Sequence, residues 1–299
     1  MKEKFLSIDN YRVRYNVWGG NKDYSPIIVC LHGFGNTSLS FIEIGEELKK
    51  DYTIISIDLP GHGKSEKFAT EKEYEMVNMT KWLYKVTDKM NLGKFYLLAH
   101  SYGADITLHF MKDYGSCVMK TLLLDGGYTT KDDFYKIVDE LAGKPEWQWP
   151  NINDVEKEIQ YTTDSFNKFE YPNFEAFYSE EEKSNKNWSN AKKIASKDYV
   201  QEINGKVKPI VDAEVVRSVI QSMANSPIKE IYTELGDNIL LLVATLPEEF
   251  TIINNTLLED VQKNSKMTIK KIQDTTHMIH WDNAEAVIEE IRNYFISTF

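Results

Sequence analysis

Apolar and polar positions change rhythm several times along this chain, and each rhythm belongs to a different element. From Phe5 to Trp18, FLSIDNYRVRYNVW alternates with a period of two around Asp9-Asn10, which predicts a β-hairpin that ends at Gly19-Gly20. Three short apolar runs follow, in PIIVCLHGFG from Pro26, YTIISIDLPGHGKS from Tyr52 and KFYLLAHSYGA from Lys94. Each is uninterrupted, rich in leucine or β-branched residues, and breaks into glycine, as strands buried on both faces do. Between them, SFIEIGEELKK and MVNMTKWLYKVTDKM space their apolar residues three or four apart and predict helices. This alternation of strand and helix points to a doubly wound α/β sheet. MKTLLLDGG (Met119 to Gly127), NILLLVAT (Asn238 to Thr245) and SKMTIKKIQ supply further strands, and NAEAVIEEIRNYF a closing amphipathic helix.

The stretch from about Tyr128 to Asn225 is too long for one crossover. It is polar, aromatic and helix-patterned, in KPEWQWPNI, FNKFEYPNFEAFY, NKNWSNAKK and DAEVVRSVIQSMAN, and no strand run is read in it. The expectation is a core of residues 1–128 and 226–299 with a helical cap, residues 129–225, over the end of the sheet. The run SEEEKS reads as a solvated helix face. No internal repeat or low-complexity tract interrupts the pattern.

Composition narrows the partners. The 299 residues are 42% hydrophobic and 27% charged with a formal net charge of −11, a packed body that repels nucleic-acid phosphates and anionic membranes. Neutral or cationic small molecules fit better. Cys30 and Cys117 lie far apart, with neither a disulfide framework nor a CxxC metal pair. MKEKFLSIDN has no apolar leader core, and no window approaches the ~18 apolar residues of a membrane span. The expected setting is therefore the cytoplasm.

Candidate chemistry is concentrated in LLAHSYGADI, Leu97 to Ile106, where Ala99 and Gly103 flank His100-Ser101-Tyr102. A serine hydroxyl becomes a useful nucleophile when it is exposed, given a base, and faced with donors for the oxyanion it creates. A sharp strand-to-helix turn exposes it, and the crowding there requires small residues two before and two after the serine. Ala99 stands where glycine is usual and still meets that requirement. LHGFGNTS places the Phe34 N–H as an oxyanion donor, with His32 bracing the loop. The base must come late in the chain, and QDTTHMIHWDNAEAVIEEI offers His277 in a loop before a helix that Asn283 caps, with His280 packed one turn on. His62 reads as a loop brace, and His109 lies inside the helix that follows Ser101.

With LHGFGNTS, IDLPGHGKS, LLAHSYGAD, TLLLDGG and THMIHWDNAEAV in this order, the chain resembles the α/β-hydrolase superfamily with a helical cap. The resemblance implies a mostly parallel eight-stranded sheet with flanking helices. It also implies Ser101 as nucleophile, His277 as base, and the N–H groups of Phe34 and Tyr102 as oxyanion hole. The chain departs from the family at the triad acid: where an aspartate is usual, LLLVATLPEEF puts Pro247, with Glu248 and Glu249 next. Some members of the family take the acid from the end of the preceding strand, where Asp125 stands, so Asp125 and Glu248 are both candidates. A serine at this turn argues against haloalkane dehalogenases and epoxide hydrolases, which use an aspartate there.

The expected activity is hydrolysis of a small-molecule carboxylic ester through an acyl-enzyme, with no metal or organic cofactor. Lactonase, thioesterase or carbon–carbon hydrolase chemistry would use the same triad, with haloperoxidation as a side reaction. A non-catalytic ligand-binding protein of this fold is the alternative from another class, favoured by the missing standard acid. Trp147, Trp149, Trp188 and Tyr171 are candidates to line an acyl or ring pocket, the competing reading being that they form the cap's own core.

Overall fold

A computed structural model describes residues 1–20, 25–144 and 149–295, apart from the side chains of Glu249 and Ile252. The period-two opening forms strands β1 (Lys2–Ile8) and β2 (Tyr11–Trp18), paired antiparallel across Asp9 and Asn10. Both turn residues have positive φ, 47° and 71°, which short polar side chains tolerate. The chain then runs through β3 (Ile27–Leu31), α1 (Ile42–Leu48), β4 (Thr53–Ile57), α2 (Met76–Lys89), β5 (Phe95–His100), α3 (Tyr102–Tyr114) and β6 (Val118–Leu124). Next come α4 (Lys131–Leu141), α5 (Val155–Lys168), α6 (Phe174–Ser184) and α7 (Asn190–Asp198), then β7 (Val200–Ile203), β8 (Lys206–Pro209) and α8 (Ala213–Asn225). The last elements are β9 (Ile239–Ala244), α9 (Thr251–Asn264), β10 (Thr268–Ile272), α10 (Ile279–Asp282) and α11 (Ala284–Phe295). None of these helices is long and apolar enough to cross a membrane.

Eight strands form one sheet in the order β1-β2-β4-β3-β5-β6-β9-β10, parallel from β4 to β10. The expected fold class is therefore the one observed. Its central strands are apolar on both faces because both faces are covered. Val29, Leu31, Leu97 and Leu241 point into a core beneath α2, α3, α8 and α9. Their neighbours Ile28, Cys30, Leu98 and Leu240 point into a second core under α1 and α11. Slipping one strand by a residue would exchange these two sets, so the register is strongly specified.

Between β6 and β9 the chain leaves the sheet for α4 to α8. Helices α5 to α8 begin at Asp154, Asn173, Ser189 and Asp212, whose side chains accept from backbone N–H groups of the first turn at 2.8–3.1 Å. Each such cap contributes about 1 kcal/mol. The reading of this stretch as free of strands is corrected by β7 and β8, an antiparallel hairpin around Asn204-Gly205, both at positive φ. The cue was present in EINGKVK, since Asn-Gly is the pair a two-residue hairpin turn favours. What obscured it was polarity: Gln201, Glu202 and Lys206 face water, and of the strand residues only Val200 and Val207 are buried.

A buried cation of the sheet reaches the inserted helices. Arg14 of β2 is 1% exposed and donates to Asp58, at the end of β4, at 2.7 Å. It also donates to Asp198, the last residue of α7, through Nη1 at 2.8 Å. Thr37 Oγ1 donates to Asp198 at 2.7 Å, and Ser38 N–H to Asp58 at 2.7 Å. Two elements distant in sequence are thus held to one guanidinium, whose planar fork suits paired carboxylates.

Candidate active site

Strand β5 is buried along its whole length and ends abruptly at Ser101, whose φ of 51° and ψ of −120° lie where non-glycine residues are rarely found. The turn is possible because the surrounding backbone comes unusually close. A Cβ on Gly103 would lie 2.6 Å from the Leu31 carbonyl oxygen, and one on Gly126 would lie 2.6 Å from Ser101 Cα. Ala99, fully buried, is accommodated. The Ser101 N–H donates to Leu124 O at 3.1 Å, which anchors the turn to β6, and α3 then starts at Tyr102. Among the described residues no acceptor takes the backbone N–H of Tyr102 or of Phe34. The loop carrying Phe34 is pressed against the turn: a Cβ on Gly33 would stand 3.0 Å from Ser101 Cβ.

Ser101 Oγ lies 2.9 Å from His277 Nε2, and His277 Nδ1 lies 2.8 Å from Asp125 Oδ2. The loop that brings the imidazole there is held at several points. Thr276 donates to Asp282 through its N–H at 2.6 Å and its hydroxyl at 2.7 Å, and Thr275 donates to Ile272 O at 2.7 Å. His100 Nε2–H donates to the His277 carbonyl at 2.8 Å. Burial, with His277 and His280 nearby, keeps His100 neutral by pulling its pKa well below the usual value.

Of the two candidate acids, Asp125 is the one that reaches the imidazole. It follows β6 with φ of 43°, and Gly126 and Gly127 let the chain turn away behind it. Its other oxygen accepts from Ala244 N–H and Tyr128 O–H, each at 3.0 Å. Burial beside Asp125 raises the Tyr128 pKa far above its ordinary value, so the phenol remains a donor. Glu248 sits exposed in the 3₁₀ turn Glu248–Phe250, outside this constellation, and Asp125 occupies the Nδ1 position for which both were candidates.

The other histidines are structural. His32 Nδ1–H donates to Gly33 O at 2.8 Å while Nε2 accepts from Leu59 N–H at 3.0 Å, joining the loops after β3 and β4. His62 Nδ1–H donates to Pro60 O, and burial pushes its pKa down to about 4. His280 lies against Phe41 and 2.7 Å from Ser40 Oγ, with a pKa lowered by burial to about 3. His109 in α3 donates to Ser226 O at 3.1 Å. Asn283 Oδ1 accepts from Ala286 N–H at 3.1 Å and caps α11.

Two cavities lie at this end of the sheet, one walled in part by the imidazole and the other beginning at Phe34 and Met278. One, about 320 Å³, is lined by Asp125, Tyr128, Trp149, Phe250 and His277. The other, about 280 Å³, runs from Phe34 and Met278 to Phe166, Phe169 and Tyr199. Trp149 therefore faces the site, edge-on to Phe250 at 4.8 Å. Tyr171 instead packs with Phe169 and Phe177 in a small core closed by Val207, which matches the competing reading, a place in the insertion's own interior. Trp188 lines neither cavity and follows Asn187, which donates to the carbonyl of Asp282, the last residue of α10. Trp147 lies outside the described residues. Tyr128 and Phe166 carry no motif of their own and had no sequence signal, while His100, inside the LLAHSYGADI motif, was named there without a role.

A family model described as alpha/beta hydrolase fold matches residues 26–284. An uncharacterized protein of Mycobacterium bovis is 25% identical over 142 residues, 48% of this chain and 39% of that protein. A serine hydrolase-like protein of Mus musculus is 29% identical over 120 residues, covering 40% of this chain and 38% of the relative. The chain thus spans about two fifths of the length of these curated relatives. Among solved structures, the Cif epoxide hydrolase from Acinetobacter nosocomialis superposes with a TM-score of 0.72 at 18% identity, over 99% of this chain and 89% of the other. A likeness at that identity concerns the fold.

Proposed function

The chain belongs to the alpha/beta hydrolase fold family, and from that premise we propose that it is a serine hydrolase that cleaves a small-molecule carboxylic ester. The observation that carries the reading is the unbroken relay from Ser101 Oγ through His277 to Asp125, with contacts of 2.9 and 2.8 Å. His277 Nε2 takes the Ser101 proton as Oγ attacks the ester carbonyl carbon. The charge that develops on the carbonyl oxygen is met by the N–H groups of Phe34 and Tyr102, whose lack of other acceptors supports this role. Asp125 keeps the imidazole in the tautomer with its proton on Nδ1 and stabilises the imidazolium. The imidazolium then protonates the leaving alkoxide as the carbon–oxygen bond breaks. Water, deprotonated by the same imidazole, attacks the acyl-enzyme and releases the acid.

Residues 129–225 act in this reading as a cap, supported by the place of Phe166, Phe169 and Tyr199 in the wall of a cavity that begins at Phe34. Trp149 lines the second cavity beside His277. Lactones, thioesters and activated carbon–carbon bonds would meet the same groups in the same order. A panel of p-nitrophenyl esters of increasing acyl length, run beside lactones and thioesters on wild type and Ser101→Ala, tests the assignment. Ester turnover that disappears in Ser101→Ala supports it, with a maximum at short acyl chains given cavities of this size. Turnover that survives in Ser101→Ala refutes it.

A further inference from the structure

The cavity of about 280 Å³ that starts at Phe34 has an unusual wall. Five aromatic rings line it, from Phe34, Phe166, Phe169, Tyr199 and Trp281, with Phe34 and Phe166 stacked at 5.6 Å. Among the described lining residues Glu181, from α6, is the single charged group. Its Oε2 accepts from Tyr199 O–H and, at 3.4 Å, from Asn185 Nδ2. Its Oε1 has no donor and no ion-pair partner among the described residues. Burial raises the carboxyl pKa, outweighing the hydrogen bonds that lower it. A half-buried carboxylate with one oxygen free of donors is a ready partner for a cation that enters the cavity.

We propose that this cavity is a cation subsite that holds an ammonium group carried by the ester substrate. The inference rests on the ester-hydrolase reading and names its substrate class; the cavity reaches the serine turn through the Phe34 loop, where a Cβ on Gly33 would stand 3.0 Å from Ser101 Cβ. An anionic group would be repelled by Glu181, and a plain alkyl group would leave Oε1 without a partner. An ammonium head satisfies Oε1 while its carbon atoms lie against ring faces, which attract cations. The chain's net charge of −11 favours the approach of such substrates.

The geometry leaves open which end of the ester carries the charge, so the test has two arms. For the acyl end, p-nitrophenyl 4-(trimethylammonio)butanoate is compared with its neutral isostere, p-nitrophenyl 5,5-dimethylhexanoate. For the alcohol end, 2-(trimethylammonio)ethyl acetate is compared with 3,3-dimethylbutyl acetate. In one arm wild type should prefer the cation in kcat/KM by about tenfold or more, and Glu181→Gln should bring that ratio close to one. Calorimetric titration with phenyltrimethylammonium gives a readout that needs no chemistry, and Glu181→Gln should weaken binding about tenfold. Cation binding that depends on Glu181 in a protein that cleaves no ester would keep the subsite and refute the hydrolase reading. Ester hydrolysis with no cation preference in either arm, or a preference unchanged in Glu181→Gln, overturns the subsite and leaves the hydrolase reading intact.

Discussion

Replacing Asp125 by asparagine alters one atom at the centre of the relay and almost nothing around it. Asp125 Oδ1 accepts from Ala244 N–H and Tyr128 O–H at 3.0 Å, so the amide oxygen of the variant keeps that position. The NH₂ group then falls where Oδ2 stood, 2.8 Å from His277 Nδ1. An NH₂ donates, which forces Nδ1 to accept and moves the ring proton to Nε2. A protonated Nε2, 2.9 Å from Ser101 Oγ, cannot take the serine proton, and the imidazolium loses the carboxylate that stabilised it. Such a tautomer change lowers kcat by about four orders of magnitude, or ~5.4 kcal/mol of barrier at ~1.36 kcal/mol per decade. KM should change little, because the isosteric side chain leaves the shape of the cavity that Asp125 helps to line unchanged. The assay is p-nitrophenolate release under saturating ester, with thermal melting as a control, since the isosteric side chain keeps the Ala244 and Tyr128 bonds. A well-folded Asp125→Asn that loses less than about tenfold refutes the assignment, and a large loss in Glu248→Gln would transfer the role to Glu248.

Other consequences can be checked on the same footing. Gly126→Ala pushes a methyl to 2.6 Å from the Ser101 backbone, which has no room to give; ester hydrolysis should fall sharply with about 1–3 kcal/mol of destabilisation in urea, and wild-type activity and stability would contradict the crowding argument. Arg14→Leu leaves Asp58, itself fully buried, without its cation and should cost about 3–5 kcal/mol in urea unfolding, partly recovered when Asp58→Asn is added; a loss under 1 kcal/mol would show that the pair is dispensable. Stability should also decline as pH falls below about 6.5. His62 and His280 remain neutral when folded, down to about 4 and about 3, while the unfolded chain protonates them near 6.5. The unfolded state therefore binds more protons in that window, and each histidine removes up to about 1.4 kcal/mol per pH unit. Buried Asp105, raised to about 7, acts in the opposite sense. A urea midpoint equal or higher at pH 5 than at pH 7 would show that the histidines do not dominate.

Much of the site was readable from the chain because its steric demands are local. Ala99 and Gly103 mark the sharp turn at Ser101, and the apolar runs with period-two sidedness leave little choice of sheet. His277 could be picked out because a base must arrive after the last strand. The acid was different: Asp125 directly follows β6 and Glu248 lies four residues past β9, and the close approach of β6 and β9, seen in the Ala244 N–H bond to Asp125, holds Asp125 where it meets Nδ1. The pocket was harder still. Trp149, Trp188 and Tyr171 look alike as aromatic positions in a polar stretch, yet one lines a cavity and another fills a small core. Helix packing decides that, and composition carries no trace of it. Glu181 and Arg14 were equally silent, since a charge in a polar segment reads as solvated until its neighbours are known.

The claim on which the account depends is that Ser101 is an activated nucleophile. Treating folded wild type and Ser101→Ala with a fluorophosphonate, then measuring intact mass and mapping the labelled peptide, tests it most directly. One adduct per chain is expected, on Ser101, and none in Ser101→Ala. Folded wild type that gains no mass, or an adduct that persists in Ser101→Ala, would contradict it.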